Sequence, residues 1–398
     1  MSETAISPIT RRLFLQAAGL CCGWAAVPSF ARGTGDRSEI VIGMSAALSG
    51  PSARLGKGMK LGMDSFIKRA NDAGGIGGRR LRLVVLDDSY QAEPVRANME
   101  RLIDAEHVLA VVGSVGTAGA GVAVPIANDR HVLLFGAFSG AAVLRKTPPD
   151  RYVINLRASY AEETAVMVRG LLKKGVKPQQ IAFFTQDDAY GDSGYAGAVK
   201  AIEALGYDET RSLAHGRYAR GTLDIDDGLL AIIQARTRPH AVIMVGSYAP
   251  CAKFIKLARQ LLPNGLFLNV SFVGSEALTE ALGADGEGVI VSQVVPHYNT
   301  PLPGTMEYRA ALERYAPGSK PDFVSLEGYL VMKAFSSGLA RVTAAPTREA
   351  IVDALEHAGT VNIGIGVPLH FAPEEHQGSH HIWMTEIRGG ALVPIENW

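Results

Sequence analysis

Hydroxyl side chains and glycines follow two apolar stretches in the first half of the sequence. The run VVGSVGTAGAG (111–121) places Ser114 and Thr117 after one stretch, and FGAFSGAAVLR (135–145) places Ser139 after the next. If a helix begins at Thr117, its first backbone N–H groups lack partners and the positive end of its dipole attracts anions. The sequence therefore predicts an anion-binding turn here.

Two aromatic residues and a carboxylate occupy comparable places in the second half. Each follows an apolar stretch, namely Tyr190, Tyr248 and Glu276. Taken singly, each is also typical of an ordinary turn or helix cap. None is arranged as a nucleophile beside a general base. Together with the hydroxyl groups of the first half, they predict a polar clamp with aromatic walls, which is typical of binding rather than catalysis.

Apolar strands and amphipathic helices alternate along the chain. EIVIGMSAAL (39–48) is typical of a buried strand, and GKGMKLGMDSFIKRANDAG (56–74) has apolar residues at helical spacing. Further strands are predicted at 81–88, 108–113, 131–137, 152–156, 181–185, 241–246 and 266–274. This alternation predicts an α/β fold with parallel sheets flanked by helices, which bind ligands at the carboxyl ends of their strands.

Signatures of enzymes and of nucleotide binding are missing from the sequence. GGIGGR (74–79) lies between a helix and a strand, the reverse of the order in a dinucleotide fold, and no G-K-[ST] follows a glycine-rich loop. G-x-S-x-G and H-E-x-x-H are also absent. The segment EEHQGSHH (374–381) is compatible with a metal site, but a solvated turn between two strands is the simpler interpretation. We therefore expect a protein that is not an enzyme and has no cofactor and no metal.

Length and charge limit the other classes of function. The chain has 398 residues, enough for two globular domains. Lys and Arg number 39, as do Asp and Glu, so the charge balance does not favour nucleic acid as a partner.

Residues 1–31 have the pattern of an export signal. Arg11 and Arg12 precede an uncharged stretch that ends at Ala31 after small residues. Paired arginines before an apolar stretch are typical of the twin-arginine route. A retained membrane anchor is the alternative, although glycines and a proline interrupt the stretch. We expect cleavage near Ala31 and a periplasmic location.

Several stretches resemble one known family. Those at 40–64, 71–88 and 111–117 are similar in residue types and spacing to the leucine/isoleucine/valine-binding proteins, and DDAYGDSG (187–194) extends the likeness. These are type I periplasmic solute-binding proteins of ABC transporters. The resemblance implies two Rossmann-like lobes, joined by three hinge strands, that close on a small-molecule ligand. It also implies an ABC permease complex in the membrane as partner.

The resemblance gives roles to matching positions. Hydroxyl residues at Thr117 and Ser139 are implied to bind the carboxylate of an amino acid. The backbone at Ala137 and the side chain of Glu276 are implied to meet its ammonium group. The anion predicted at the turn is then a ligand carboxylate.

Other matching positions surround the ligand side chain. Tyr190 and Tyr248 are implied to close from the second lobe. Leu55 stands where many members have an aromatic residue, and Phe138 adds ring surface beside the carboxylate site. The resemblance leaves the ligand open between an amino acid, including a branched-chain one, and an aromatic acid or amide. A ligand-sensing module of the same fold is the alternative to a transport protein.

The resemblance also divides the chain and replaces a cysteine pair. Tyr90 and Gly116 occupy the places of the two cysteines of the leucine-binding proteins. Lobe 1 is expected at 39–157 plus 295–364, and lobe 2 at 158–294 plus 365–398. Hinge strands are expected near 157–160, 293–296 and 365–368.

Overall fold

The structure is a computed structural model that describes residues 39–398, so the predicted signal at 1–31 lies outside the described residues. The strands are β1 (Ile40–Ala46), β2 (Leu81–Asp87), β3 (Ala110–Val112), β4 (Leu133–Phe135), β5 (Val153–Ile154), β6 (Ile181–Gln186), β7 (His215–Tyr218), β8 (Ala241–Val245), β9 (Leu266–Asn269), β10 (Ile290–Gln293), β11 (Gly359–Val361), β12 (Leu369–Phe371), β13 (Trp383–Arg388) and β14 (Ala391–Ile395).

The helices lie between these strands. They are α1 (Ala53–Asp72), α2 (Ala92–Glu100), α3 (Thr117–Asp129), α4 (Tyr160–Lys173), α5 (Ala189–Glu203), α6 (Asp226–Ile233), α7 (Tyr248–Leu261), α8 (Ser275–Leu282), α9 (Pro303–Tyr315), α10 (Phe323–Leu339) and α11 (Arg348–Glu356). Within residues 39–398, no helix is both long and apolar enough to cross a membrane.

Two sheets organise the described chain. The first has the order β2-β1-β3-β4-β5 and is parallel throughout. The second has the order β14-β13-β10-β9-β8-β6-β7, in which β13 alone runs antiparallel to its neighbours β10 and β14. Central strands such as β8 (AVIMV) are apolar at every position because helices cover both faces. The α/β fold with parallel sheets flanked by helices is as predicted.

The chain passes between the sheets three times. It leaves the first sheet after β5, returns after β10 to form α9, α10 and α11, and leaves again before β13. Helices α9 and α10 pack on α1, so this returning segment lies with the first sheet. Residues up to Gly378 also lie there, because the N–H group of Gly378 donates to the Asn155 carbonyl at 2.8 Å. These contacts favour a third crossing after Gly378 rather than at the predicted 365–368.

Helices α1 and α10 approach each other closely at Gly62. A Cβ atom at Gly62 would lie 1.8 Å from the carbonyl oxygen of Ser325, far inside contact distance. The absence of a side chain at this position therefore sets how α10 packs on the helix that follows β1.

Candidate functional site

The two predicted carboxylate-binding hydroxyls meet at the carboxyl ends of β3 and β4. Helix α3 begins at Thr117, after Gly116 turns the chain with a φ of 101°. The Thr117 and Ser139 hydroxyl oxygens are 2.8 Å apart, and both side chains are buried. The sequence-predicted helix N-terminus and its hydroxyl pair are therefore present.

Ser114 and Ala137 make different contacts. The Ser114 hydroxyl accepts from the backbone N–H of Ser45 at 3.3 Å, and the Ala137 carbonyl accepts from the N–H of Ser139 at 2.8 Å. Both residues line a cavity of about 10 Å³ between the first sheet and α3. Their polar groups thus support the turn that carries Thr117 and Ser139.

A cluster of aromatic rings lies between the strand ends of the two sheets. Phe138 comes from the first sheet's side, and Tyr160, Tyr190 and Phe272 come from the second. The Phe272 ring centre is 5.1 Å from that of Phe138, 4.8 Å from Tyr190 and 6.3 Å from Tyr160. The structure therefore brings together the predicted Phe138 and Tyr190, with Phe272 between them. We call these four residues, with Tyr90, the ring cluster.

Tyr90 belongs to this cluster, and its ring packs on Gly116, the residue before α3. A Cβ atom at Gly116 would lie 2.4 Å from the Tyr90 ring, so the ring packs directly on that glycine. The Tyr90 ring centre is 6.0 Å from that of Phe272. The two positions at which the resemblance implies a cysteine pair thus touch here as an aromatic ring on a glycine.

A buried arginine lies against the ring cluster. Arg157 follows β5, and only 1% of its surface is exposed. Its guanidinium carbon is 4.8 Å from the Phe138 ring centre and 5.9 Å from that of Tyr160. The guanidinium also donates to the Ser271 hydroxyl. Sequence analysis treated Arg157 only as part of a predicted hinge.

Arg157, Tyr160 and Phe272, which the structure places beside the predicted residues, were not among the site residues predicted from the sequence. One signal was available: Arg157 is a single charge directly after the apolar strand YVINL (152–156). Phe272 was predicted to lie within a strand at 266–274, whereas β9 ends at Asn269 and a 3₁₀ turn carries Phe272.

The remaining predicted residues gather around Gly274, at the start of α8. A Cβ atom there would lie 2.7 Å from Leu55 and 3.5 Å from the Tyr248 ring. The Tyr248 hydroxyl donates to the carbonyl of Pro51, which precedes α1. Leu55 and Glu276 line a cavity of about 30 Å³ at this point.

Glu276 lies beside a second carboxylate. Its Oε1 accepts from the backbone N–H of Phe323 at 3.2 Å. Burial and the neighbouring Asp322 carboxylate raise the pKa of Glu276 to about 8. Burial also raises the pKa of Asp322. Removing negative charge, or adding positive charge, at this point is therefore favourable.

The histidine-rich segment is solvated only in part, since Glu374, His380 and His381 are exposed. His376 is buried, and its ring contacts the carbonyl of Val153 at 2.9 Å and the Glu356 carboxylate at 3.2 Å. Gln377 is also buried and accepts from Arg145 at 2.8 Å. The interpretation as a solvated turn therefore fails for His376 and Gln377, which pack along the end of the first sheet, and holds for the exposed residues. No group of three or more potential metal ligands occurs within residues 39–398.

The chain belongs to a known family. The model of the family described as "Periplasmic binding protein" matches residues 39–391. The Leu/Ile/Val-binding protein BraC3 of Rhizobium johnstonii is 25% identical over 341 residues, covering 83% of this chain and 86% of BraC3. With the structural likeness below, this makes the chain a type I periplasmic binding protein of the leucine/isoleucine/valine-binding family, whose members are solute-binding proteins rather than enzymes.

Solved structures share the fold. A possible leucine/isoleucine/valine-binding protein from Rhodopirellula baltica has 44% identity and a TM-score of 0.88, covering 90% of this chain and 97% of its own. A solute-binding protein of an ABC transporter from R. palustris, solved in complex with benzoate, has 18% identity and a TM-score of 0.77. That match covers 90% of this chain and 95% of the other, and it bears on the fold alone.

Proposed function

We propose that this protein captures a small carboxylate in the periplasm and delivers it to an ABC permease complex. The observation that carries the proposal is the buried hydroxyl pair of Thr117 and Ser139 at the N-terminus of α3. Hydroxyl donors and a helix N-terminus together favour a bound carboxylate, and each hydrogen bond to a charged group contributes about 1.5–3 kcal/mol.

The proposal includes capture between two moving lobes. The first lobe contains the first sheet with α9, α10 and α11, and the second contains the second sheet. The cavity between Leu55 of the first lobe and Glu276 of the second measures about 30 Å³, too small for an amino acid, so a ligand enters there only when the lobes separate. The three crossings of the chain between the sheets are the proposed hinges.

Calorimetry with a panel of ligands tests the proposal. The panel contains L-leucine, L-phenylalanine, benzoate and benzamide, and the purified protein is titrated with each. We expect a carboxylate to bind while benzamide, which has no negative charge, binds more weakly. If none of the three carboxylates binds at millimolar concentration, the proposed capture of small carboxylates is wrong.

Glu276 distinguishes an amino acid from a plain carboxylic acid. A ligand ammonium group would pair with this carboxylate, so Glu276→Gln should weaken an amino acid by about 2–5 kcal/mol. A ligand without an amine should bind the variant equally well or more tightly, because a poorly paired negative charge is removed. An amino acid is thus expected to lose binding free energy in the variant, whereas a plain carboxylic acid is expected to lose none or to gain some.

Export by the twin-arginine route is a separate part of the proposal. Replacing Arg11 and Arg12 together by lysine should leave the precursor in the cytoplasm. Fractionation of cells that express each form shows whether the precursor stays in the cytoplasm. Normal export of the variant would indicate the general secretory route instead.

A further inference from the structure

Arg157 has hydrogen-bonding capacity that its neighbours leave unused. Its Nε and Nη1 atoms are buried and make no hydrogen bond with any residue from 39 to 398. The nearest carboxylate oxygens, on Glu163 and Glu327, are each 3.4 Å from a guanidinium nitrogen. Such unused donors on a buried charge are costly, so they call for an explanation.

The surrounding carboxylates neutralise Arg157 only in part. Glu163 is already bound by the Ser271 N–H group at 2.7 Å, the Ser271 hydroxyl at 3.0 Å and the Ser292 hydroxyl at 2.5 Å. Glu327 accepts no hydrogen bond at Oε1 from the described residues, and burial raises its pKa to about 7. Near neutral pH, one of the two counter-charges is therefore partly lost.

The neighbouring Arg145 shows, by comparison, an arginine whose donors are used by the protein itself. Its guanidinium donates to the carbonyls of Ser139, Ala141 and Arg157 and to the side chain of Gln377, at 2.8–3.1 Å. This arginine holds the backbone around the site. Arg157, which lies beside it, makes one hydrogen bond to a hydroxyl and long contacts of 3.4 Å to Glu163 and Glu327.

A tyrosine hydroxyl next to Arg157 is also free. Tyr160 is fully buried, and its hydroxyl makes no hydrogen bond with the described part of the chain. The Tyr160 ring centre lies 5.9 Å from the Arg157 guanidinium carbon, and the Tyr160 N–H group donates at 2.8 Å to the carbonyl of Gly140, which directly follows Ser139. Three kinds of donor thus converge beside Phe138: a guanidinium, a phenol and the hydroxyl pair of Thr117 and Ser139.

The ring cluster surrounds these donors with apolar aromatic surface. Phe138 and Tyr90 lie on the first lobe, and Tyr160, Tyr190 and Phe272 on the second, so separation of the lobes exposes rings on both sides. A ligand that carries its own aromatic ring replaces the ring contacts that are lost when the lobes part. An aliphatic side chain covers this surface less completely.

We infer that Arg157 and Tyr160 form a carboxylate-binding subsite that takes an aromatic acid, with the ligand ring held among Phe138, Tyr190 and Phe272. This inference rests on the proposed capture of a small carboxylate and names the class of ligand. The planar guanidinium provides two N–H groups in the geometry that a carboxylate accepts, and the phenol and hydroxyl pair provide further donors.

The test uses benzoate as the probe and Tyr160→Phe as the main variant. This change removes only a hydroxyl that has no partner in the described chain, so it should leave the melting temperature unchanged. We expect the dissociation constant for benzoate, measured by calorimetry, to rise about ten- to a hundredfold, as for loss of a hydrogen bond to a charged group. Arg157→Lys, which keeps the charge and loses the planar fork, should weaken benzoate at least as much.

Tyr329→Phe is the matched control. Tyr329 is also fully buried, its hydroxyl likewise has no hydrogen-bond partner in the described residues, and it lies on α10 against Phe66, outside the ring cluster. Its removal should leave benzoate binding unchanged. If Tyr160→Phe behaves like this control, the subsite is wrong.

The wild-type titrations separate this inference from the proposed function. If L-leucine binds and benzoate does not bind at millimolar concentration, carboxylate capture stands and the aromatic subsite is overturned. If L-leucine, L-phenylalanine and benzoate all fail to bind, the proposed function itself fails. If Arg157→Lys does not fold, which circular dichroism detects, the comparison of Tyr160→Phe with Tyr329→Phe still decides.

Discussion

The contact between the Thr117 and Ser139 hydroxyls gives the most direct prediction for a single residue. Thr117→Ala should weaken a bound carboxylate by about 1–3 kcal/mol, because one donor to a buried charge is lost. Calorimetry with a ligand from the panel measures this loss. The control is Ser65→Ala, since the Ser65 hydroxyl is also buried but donates within α1 to the Leu61 carbonyl at 2.8 Å. Equal affinities in the two variants would contradict a role for Thr117.

Glu276 gives a prediction about pH. Its pKa in the folded protein is raised to about 8 by burial and by Asp322, whereas an unfolded glutamate has a pKa near its usual value of about 4.3. The folded state therefore binds more protons than the unfolded state over this interval, so the carboxyl contributes stability below the lower pKa that is lost as the pH rises through the higher one.

Glu276→Gln should remove that pH dependence. The melting temperature of the variant relative to that of the wild type should therefore increase as the pH is raised from 5 to 9. Most of this increase should occur between the two pKa values of about 4.3 and about 8. Differential scanning calorimetry across this range measures the difference in melting temperature. A difference that stays constant with pH would contradict the raised pKa.

The individual residues differ in how far sequence could identify them. Thr117 and Ser139 could be predicted because each lies one turn beyond an apolar strand, where parallel sheets bind ligands. Arg157 and Phe272 could not, because their surroundings come from packing between the two sheets, which no local pattern encodes. The free donors of Arg157 depend on which partners Glu163 already has, and only the folded chain shows those.

At the scale of elements, apolar and amphipathic segments were predicted correctly, whereas two edge strands were missed. The helix predicted at 56–74 is α1 at Ala53–Asp72, and the strand at 241–246 is β8 at Ala241–Val245. Strand β7 was missed because HGRY is short and polar, as suits an edge strand. Edge strand β14 was also missed because it contains Pro394, which is tolerated there since an edge strand has one unpaired side.

The packing of α1 on α10 gives a prediction at this scale. Gly62→Ala places a methyl group against the Ser325 carbonyl, so it should lower the free energy of unfolding by about 1–3 kcal/mol or more. The control is Gly121→Ala in α3, where a Cβ atom meets nothing within 4 Å. That change should be neutral or stabilise by about 0.5–1 kcal/mol, because alanine loses less entropy in a helix. Urea denaturation of both variants tests the pair; equal losses would contradict the close approach.

For the whole molecule, two polar contacts at the start of α1 join the lobes beside the ring cluster. Arg54 pairs with Glu280 of α8 at 2.5 Å, and the Tyr248 hydroxyl donates to the Pro51 carbonyl. The side chains of Arg54 and Glu280 are 50% and 64% exposed, so their ion pair contributes only about 0–1 kcal/mol. Contacts this weak can break when the lobes separate and re-form when they close, which suits a protein that must both admit and release a ligand.

Closure of the lobes should therefore be measurable in solution, and a side chain at position 274 should hinder it. Small-angle scattering of the wild type should give a smaller radius of gyration at saturating ligand than without it. A side chain at Gly274 would lie 2.7 Å from Leu55 on the opposite lobe, so Gly274→Ala should reduce that change. The control is Gly175→Ala at the end of α4, where φ is 83° against 81° at Gly274 but a Cβ atom meets nothing within 4 Å. Because both variants carry similar backbone strain, a loss of compaction confined to Gly274→Ala can be attributed to the contact with Leu55. An unchanged radius in the saturated wild type would contradict hinge closure.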